Sequence, residues 1–144
     1  MPKTNAAGLA LIEQFEGCEL HAYQDSGGVW TIGYGHTDGV HAGQVITQAE
    51  ADALLQEDVT GTEIEVQSLV EIELTPNEFA ALVSFEFNTG ALASSPGLAL
   101  LNTDKLVPAW DDHFCLYIHD ANGVTLAGLV RRRAAERALF FSAE

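Results

Sequence analysis

The stretch HAYQDSGGVWTIGYGHTDGV, residues 21–40, combines the signals of β-strands with those of tight turns. Glycines crowd into it, and the large side chains of Trp30, Ile32 and Tyr34 alternate with smaller neighbours. Alternation with a period of two is typical of a strand, and glycine-rich dipeptides are typical of turns. We therefore expect a small β-hairpin lobe over about residues 18–45.

A helical pattern precedes this lobe. Over residues 5–16, the side chains of Leu9, Ile12 and Glu16 recur at spacings of three and four, so they share one helical face. A carboxylate at the end of an apolar face is unusual, because an apolar environment penalises the charged form. The pattern predicts a short helix that ends at an acidic residue worth testing for a chemical role.

Helical patterns also follow the lobe. The T-x-x-E boxes at Thr47 and Thr75 predict two helix starts, and Pro76 suits the first position of the second helix. A further helix or two is expected within residues 98–113. The final helix is expected to begin at Arg131.

Together these patterns predict an α+β fold in which residues 1–144 form a single domain. Its β-hairpin lobe would face a mostly helical lobe, made of residues 46–144 and the N-terminal helix, across a cleft. Such clefts are common ligand sites. Residues 114–127 lack a clear pattern, and we expect an irregular loop there.

Composition excludes several classes of protein. With 47% hydrophobic residues among 144, the chain can bury a core, yet it contains no apolar run long enough to cross a bilayer. The N-terminal residues resemble no export signal, so we expect the protein to be made and kept in the cytoplasm. A net charge of −15 argues against binding to nucleic acid. Without export, Cys18 and Cys115 are expected to be reduced thiols.

Glu16, Asp25 and Thr31 are candidates for glycoside hydrolysis, a reaction that needs a proton donor and a second carboxylate. Glu16 ends an apolar helical face, which favours a protonated carboxyl, whereas Asp25 lies in a polar, glycine-rich turn that favours the ionised form. For Asp25 and Thr31 to share one face of the hairpin, the loop must contain an odd number of residues, as Ser26-Gly27-Gly28 does. The simpler interpretation is a solvated helix end and a turn-forming aspartate.

A metal site is not expected from this sequence. His36, Asp38 and His41 are close in the chain, but their spacing matches no familiar zinc pattern and no fourth ligand is evident. We therefore expect neither a metal nor another cofactor.

The chain resembles the phage-type lysozymes, glycoside hydrolase family 24. The spacing Glu-x8-Asp-x5-Thr of that family is met at Glu16, Asp25 and Thr31. The stretches that carry the resemblance are Phe15-Glu16-Gly17, Ala22-Tyr23, WTIGYGHT from Trp30, LTPN from Leu74, ALVSF from Ala81, Phe87-Asn88 and GLVRRRAAER from Gly128.

This resemblance implies a lysozyme-like fold and a muramidase, which cleaves the β-1,4 bond between N-acetylmuramic acid and N-acetylglucosamine in peptidoglycan. It implies that Glu16 is the general acid and that Asp25 and Thr31 hold the attacking water. The reaction would then invert the anomeric carbon, with the carboxyl groups about 6.5–9.5 Å apart. The resemblance further implies a phage endolysin, expected to be a monomer, that waits in the host cytoplasm for a separate pore protein to release it.

Other cleft residues follow from the same resemblance. Tyr34, His36 and Asn88 are candidates for binding substrate, and Arg133 is the candidate for supporting Glu16. Plainer alternatives remain open: His36 as a hydrogen-bonded structural residue, Asn88 as a helix cap, and the arginine cluster as surface charge or a patch for peptidoglycan carboxylates.

Two alternative functions also stay open at this point. One is a chitinase-like or chitosan-cleaving hydrolase on the same fold, and the other is a non-catalytic glycan-binding module. The charge of −15 departs from the basic charge of many phage lysozymes. Because salt screens repulsion between an acidic enzyme and an anionic wall, we hypothesise an adaptation to a saline setting.

Overall fold

The computed structural model describes residues 2–104, 113 and 116–142, in which it forms five α-helices and one two-stranded sheet. In chain order the elements are α1 (Ala6–Glu16), β1 (Glu19–Gln24), β2 (Trp30–Gly33), α2 (Gln48–Leu69), α3 (Pro76–Thr89), α4 (Gly97–Thr103) and α5 (Ala127–Phe140). The predicted order, a short helix, a hairpin lobe and then mostly helices, is confirmed.

The hairpin has the register that the sequence predicts. β1 and β2 pair antiparallel, with Tyr23 opposite Thr31. The backbone N–H of Asp25 donates to the carbonyl oxygen of Val29 at 2.9 Å, so the loop between this pair contains the three residues 26–28. Since strand side chains alternate between faces, Asp25 and Thr31 lie on the same face of the hairpin. The prediction of an odd loop is confirmed.

Both predicted capping boxes are present. The hydroxyls of Thr47 and Thr75 accept from the backbone N–H groups of Glu50 and Glu78, whose carboxylates accept in return from the cap backbone. These reciprocal bonds satisfy N–H groups that a helix start leaves without partners. They fix where α2 and α3 begin.

α3 occupies the centre of the larger apolar core. It packs against α1, α2 and α5, and the side chains from Phe79 to Glu86 are buried. A second buried cluster of Ile32, Ile46 and Ala51 lies beneath the hairpin. The two clusters hold the end of α1, the hairpin and α5 in fixed positions around one groove.

Three parts of the prediction differ from the structure or fall outside it. The strand pattern included Tyr34, but β2 ends at Gly33. α5 begins at Ala127 rather than Arg131, and its N-cap residue Leu126 makes no capping bond through its side chain, so no local signal marks this start. α4 accounts for the beginning of the helical region expected within residues 98–113.

The segment 116–126 contains a short turn closed by a bridge between His119 and Thr125. Residues 105–112, 114 and 115 lie outside the described part of the chain, so the expected pairing state of Cys115 does too; Cys18 carries a free thiol. Among the described helices, none combines the length and hydropathy needed to cross a membrane.

Candidate active site

Glu16 is the last residue of α1, and Gly17 then turns the chain towards β1. The side chain of Glu16 is 19% exposed, and its Oε2 atom accepts a hydrogen bond of 2.7 Å from Nη1 of Arg132. The family resemblance implied Arg133 for this role; that expectation is wrong, because the partner of Glu16 is Arg132. The carboxyl is thereby fixed at the wall of the groove, with one oxygen engaged.

Gly35 borders the other oxygen of Glu16 in the cavity that both residues line. A Cβ atom placed on Gly35 would lie 3.2 Å from Oε1, closer than ordinary van der Waals contact, and the φ angle of 81° also disfavours other residues. The positive φ angle therefore favours glycine here, and the missing side chain leaves Oε1 of Glu16 uncrowded.

Asp25 is held by its own turn. Its Oδ1 atom accepts from the backbone N–H groups of Gly27 and Val29, both at 2.9 Å. Within the described residues, Oδ2 receives no hydrogen bond, and the side chain is exposed. The turn thus orients the carboxylate and leaves one oxygen available to a water molecule.

Thr31 lies on β2, where it is only 4% exposed. Its hydroxyl donates to the carbonyl oxygen of Val29 at 2.9 Å. Because this bond uses the hydroxyl proton, the oxygen is left as an acceptor for a further donor. Asp25 and Thr31 therefore present two acceptors on one face of the hairpin.

Tyr23 connects the two carboxylates electrostatically. Burial raises the pKa of Tyr23, and the negative charges of Glu19, Glu16 and Asp25 raise it further. Its phenol lies on the same hairpin face as Thr31 and is 40% exposed. The pKa of this one phenol is therefore raised by both carboxylates, that of Glu16 at the end of α1 and that of Asp25 in the hairpin turn.

Two cavities of about 590 Å³ each meet at Glu16 and Asn88. One continues along α5 past Arg131 and Arg132, and the other runs past His36 towards α2. Two of the predicted substrate-binding residues, His36 and Asn88, therefore line the groove beside Glu16. Asp25 and Thr31 line neither cavity and lie on the hairpin instead.

Tyr34 is in a different position from the other predicted substrate-binding residues. Its ring packs against both apolar clusters. Its hydroxyl accepts from Nε2 of Gln48 at 3.2 Å, and burial raises the pKa of Tyr34. These contacts attach the hairpin lobe to the start of α2.

His36 has a structural partner on each ring nitrogen. Nδ1 lies 2.8 Å from Oδ2 of Asp58 on α2, and Nε2 lies 3.0 Å from the carbonyl oxygen of Asp38. These contacts fit the plainer interpretation of His36 as a hydrogen-bonded structural residue. They join the hairpin lobe to the middle of α2.

Behind Arg132 lies a buried ionic cluster. Glu136, fully buried, is 2.8 Å from Nε of Arg133 through Oε1 and accepts from Nε of Arg132 at 3.3 Å through Oε2. Ser84 of α3 also donates its hydroxyl to Oε2. Arg133 does not bond to Glu16; its Nη2 donates to Oδ1 of Asn88 at 2.6 Å.

The sequence reasoning placed the support of Glu16 in the arginine cluster 131–133 but named Arg133 rather than Arg132, and it singled out neither Tyr23 nor Glu136. The spacing of Arg132 and Glu136, four residues apart on one helix, is a local signal for an ion pair. The position of Tyr23 opposite Thr31, on the face that carries Asp25, follows only from the hairpin register. Across the described residues, no group of three or more histidine, cysteine, aspartate or glutamate side chains is arranged to hold a metal ion.

Comparison with known proteins gives concordant matches. The family model described as Phage lysozyme matches residues 13–136. The endolysin of Acyrthosiphon pisum secondary endosymbiont phage 1 is 40% identical over 140 residues, which cover 94% of this chain and 96% of that protein. The endolysin of Bacillus phage B103 is 39% identical over 143 residues, which are 96% of this chain but only 54% of that protein.

A solved structure is also similar over the full length. The muramidase domain of SpmX from Asticaccaulis excentricus has a TM-score of 0.91 and 38% sequence identity, and the match covers 99% of this chain and 100% of that domain. The arrangement of α1, the hairpin and α5 is therefore shared with a muramidase domain.

Proposed function

The chain belongs to the phage lysozyme family and is a peptidoglycan-hydrolysing glycosidase of the endolysin type, and we propose that Glu16, Asp25 and Thr31 perform its reaction. One observation carries this proposal: the groove has a carboxyl held by a guanidinium at one edge, and two oriented acceptors share the hairpin face. The bond cleaved is the β-1,4 bond between N-acetylmuramic acid and N-acetylglucosamine.

Glu16 is the general acid in this proposal. Arg132 donates to Oε2, so the proton to be transferred resides on Oε1, the oxygen beside Gly35. From there it passes to the oxygen of the leaving sugar as the glycosidic bond breaks. A proton donor placed in this way contributes about 10²–10⁴-fold to the rate.

Asp25 and Thr31 hold and activate the water. Oδ2 of Asp25 and the hydroxyl oxygen of Thr31 each accept one of its hydrogens, because their other bonding capacity is used within the turn. A water that donates both hydrogens to these acceptors directs a lone pair away from them, towards the anomeric carbon. Attack on the face opposite the leaving group inverts that carbon.

Asn88 and His36 are the proposed sugar contacts beside Glu16, with His36 contributing its ring surface because both of its nitrogens bond within the protein. Arg133 holds Oδ1 of Asn88, which leaves the amide N–H groups free to donate to a sugar. Tyr34, also assigned to the substrate from the resemblance, contributes through its packing beneath the hairpin and its bond to Gln48.

The wider setting is part of the same proposal. Residues 1–144 act as one catalytic unit, a monomer whose partner is the peptidoglycan of the bacterial wall. The enzyme stays in the host cytoplasm until a separate pore protein admits it to the wall.

Digestion of purified peptidoglycan tests the proposal. A new reducing end on N-acetylmuramic acid is expected, with the α-anomer as the first product seen by NMR. Reducing ends on N-acetylglucosamine, or faster cleavage of chitin than of peptidoglycan, would contradict the assigned bond. The variant Glu16→Gln should bind the wall without clearing it, and unchanged clearing would refute its role as the acid.

A further inference from the structure

The buried carboxylate of Glu136 has no place in the reaction proposed above, yet it contacts Arg132, which lines the groove, and the buried Arg133. Oε1 is 2.8 Å from Nε of Arg133, and Oε2 accepts from Arg132 and from Ser84. Burial raises the pKa of Glu136, while the two guanidinium groups and the hydroxyl act in the opposite direction. Burial is the largest influence, so the pKa of Glu136 is raised overall, but the guanidinium groups at 2.8 and 3.3 Å keep the carboxylate ion-paired.

The charges of this cluster are not balanced. Two guanidinium groups and one carboxylate sum to a single positive charge, and Arg132 brings that charge to 2.7 Å from Glu16. Burial lowers the pKa of Arg133, and Glu136 counteracts this. Loss of the carboxylate would leave two positive charges behind the general acid, and loss of Arg133 would leave none.

We propose that Glu136 is a positioning residue that sets the charge experienced by Glu16 and so sets the alkaline limit of activity. It acts through Arg132, which it holds against Glu16 while it neutralises one of the two arginines. This inference rests on the proposed function, because it presumes that Glu16 works as a proton donor.

The other charged groups around the cluster do not replace this effect. Behind Arg133, burial and then the arginine itself lower the pKa of His113 to about 4, so His113 is neutral in the working range and adds no charge. From α3 the cluster receives the hydroxyl of Ser84, which carries no charge. On the groove side, the charged or titratable residues that line the two cavities with Glu16 are Arg131, His36, Asp38, Glu57, Asp58 and Glu65. These residues are the same in every variant compared below, so they do not change the difference between variants.

Three variants separate a charge effect from a structural one. Glu136→Gln raises the net charge of the cluster by one, Arg133→Gln lowers it by one, and the double variant restores it. A positive charge favours loss of the proton from Glu16. The alkaline limb of the pH–activity profile is therefore expected to move down by about one pH unit in Glu136→Gln, up by about one in Arg133→Gln, and back to its original position in the double variant.

The measurement is the rate of peptidoglycan digestion against pH at fixed ionic strength, with the folded state of each variant checked by circular dichroism. Ser84→Ala is the matched control, because it removes a hydrogen bond to the same carboxylate without changing the charge. It is expected to lower the melting temperature and to leave the limb in place. A purely structural role would lower the rate at every pH, and the losses of the single variants would accumulate in the double variant.

The outcomes separate this inference from the function on which it rests. If Glu16→Gln retains activity, the proposed mechanism itself fails. If Glu16→Gln is inactive but the limb stays fixed in Glu136→Gln and Arg133→Gln, only the role of Glu136 is overturned. Should Glu136→Gln not fold, Arg133→Gln alone decides, because an upward shift supports the inference and an unmoved or lowered limb refutes it.

Discussion

Two turns of this molecule are built with the same hydrogen bonds, yet only one belongs to the candidate active site. Asp25 and Asp120 each accept with Oδ1 from the backbone N–H groups two and four residues further on. Each turn has a glycine three residues after the aspartate, Gly28 with φ 81° and Gly123 with φ 80°. The aspartate-glycine pattern therefore dictates a turn, and by itself it says nothing about catalysis.

The difference between the turns lies in what surrounds them. Six residues after Asp25 the chain places Thr31, whose hydroxyl shares the face of the carboxylate, whereas six residues after Asp120 it places Leu126. The negative charges of Asp25 and Glu16 also both raise the pKa of Tyr23. We therefore attribute the chemical role of the Asp25 turn to its neighbours, the hydroxyl of Thr31 and the carboxyl of Glu16. Variants of the two turns test this difference.

The largest difference is expected between Asp25→Asn and Asp120→Asn. An asparagine keeps the Oδ1 acceptor that holds each turn, so both variants should keep nearly the same melting temperature. Asp25→Asn removes the base that takes the proton of the water, and a loss of about 10²–10⁴-fold in peptidoglycan digestion is expected. Asp120→Asn should stay within about two-fold of the original rate. Equal losses would show that the two turns are alike in function as well.

The next largest effect is expected at Thr31. Thr31→Val keeps the shape of the buried side chain but removes one of the two acceptors for water, so the rate of digestion should fall by about 10²-fold, as at other sites that lose one oriented polar group. The converse change, Leu126→Thr, supplies a hydroxyl to the other turn and should leave the rate unchanged. An active Thr31→Val variant would remove the hydroxyl from the mechanism.

A smaller effect, on stability, should be common to the two turns. Gly28→Ala and Gly123→Ala each place a Cβ atom on a left-handed backbone, which costs about 1–2 kcal/mol of unfolding free energy in urea denaturation. Only Gly28→Ala should also slow digestion, because it shifts the carboxylate of Asp25. If Gly123→Ala slows digestion equally, the second turn contributes to the groove.

The smallest effect concerns titration. The pKa of Tyr23 is raised by burial and by Glu19, Glu16 and Asp25, so the folded state binds this proton more tightly than the unfolded chain does. Tyr23 therefore leaves stability unaffected below pH about 10 and reduces it as the pH rises above that value. Asp25→Asn should bring the pKa of Tyr23 closer to its ordinary value, measured by NMR, whereas Asp120→Asn should not move it.

The features that could be predicted from the sequence are those that neighbouring residues determine. The three-residue loop follows from Ser26-Gly27-Gly28 and the strand alternation, and the helix starts follow from the boxes at Thr47 and Thr75. The spacing of Glu16, Asp25 and Thr31 identified the three candidate residues. The structure adds the hydrogen-bond partners of each: Arg132 for Glu16, the turn backbone for Asp25 and the carbonyl oxygen of Val29 for Thr31.

The features that could not be predicted depend on packing between distant parts of the chain. Arg132 and Arg133 are adjacent, but successive residues on a helix point about 100° apart. Which one faces Glu16 depends on the rotation of α5, which its packing against α3 and α1 fixes. The start of α5 at Ala127 has no capping side chain, and the core contacts of Tyr34 likewise appear only in the folded chain.

The contact between Gly35 and Glu16 has a consequence for how a glycan strand enters. A Cβ atom there would lie 3.2 Å from the proton-donating oxygen, but glycine has none, and Gly35 lines the same cavity as Glu16. The leaving oxygen of a sugar can therefore reach Oε1 over a bare stretch of backbone. A residue without a side chain thus keeps the path to the acid open for the polymer.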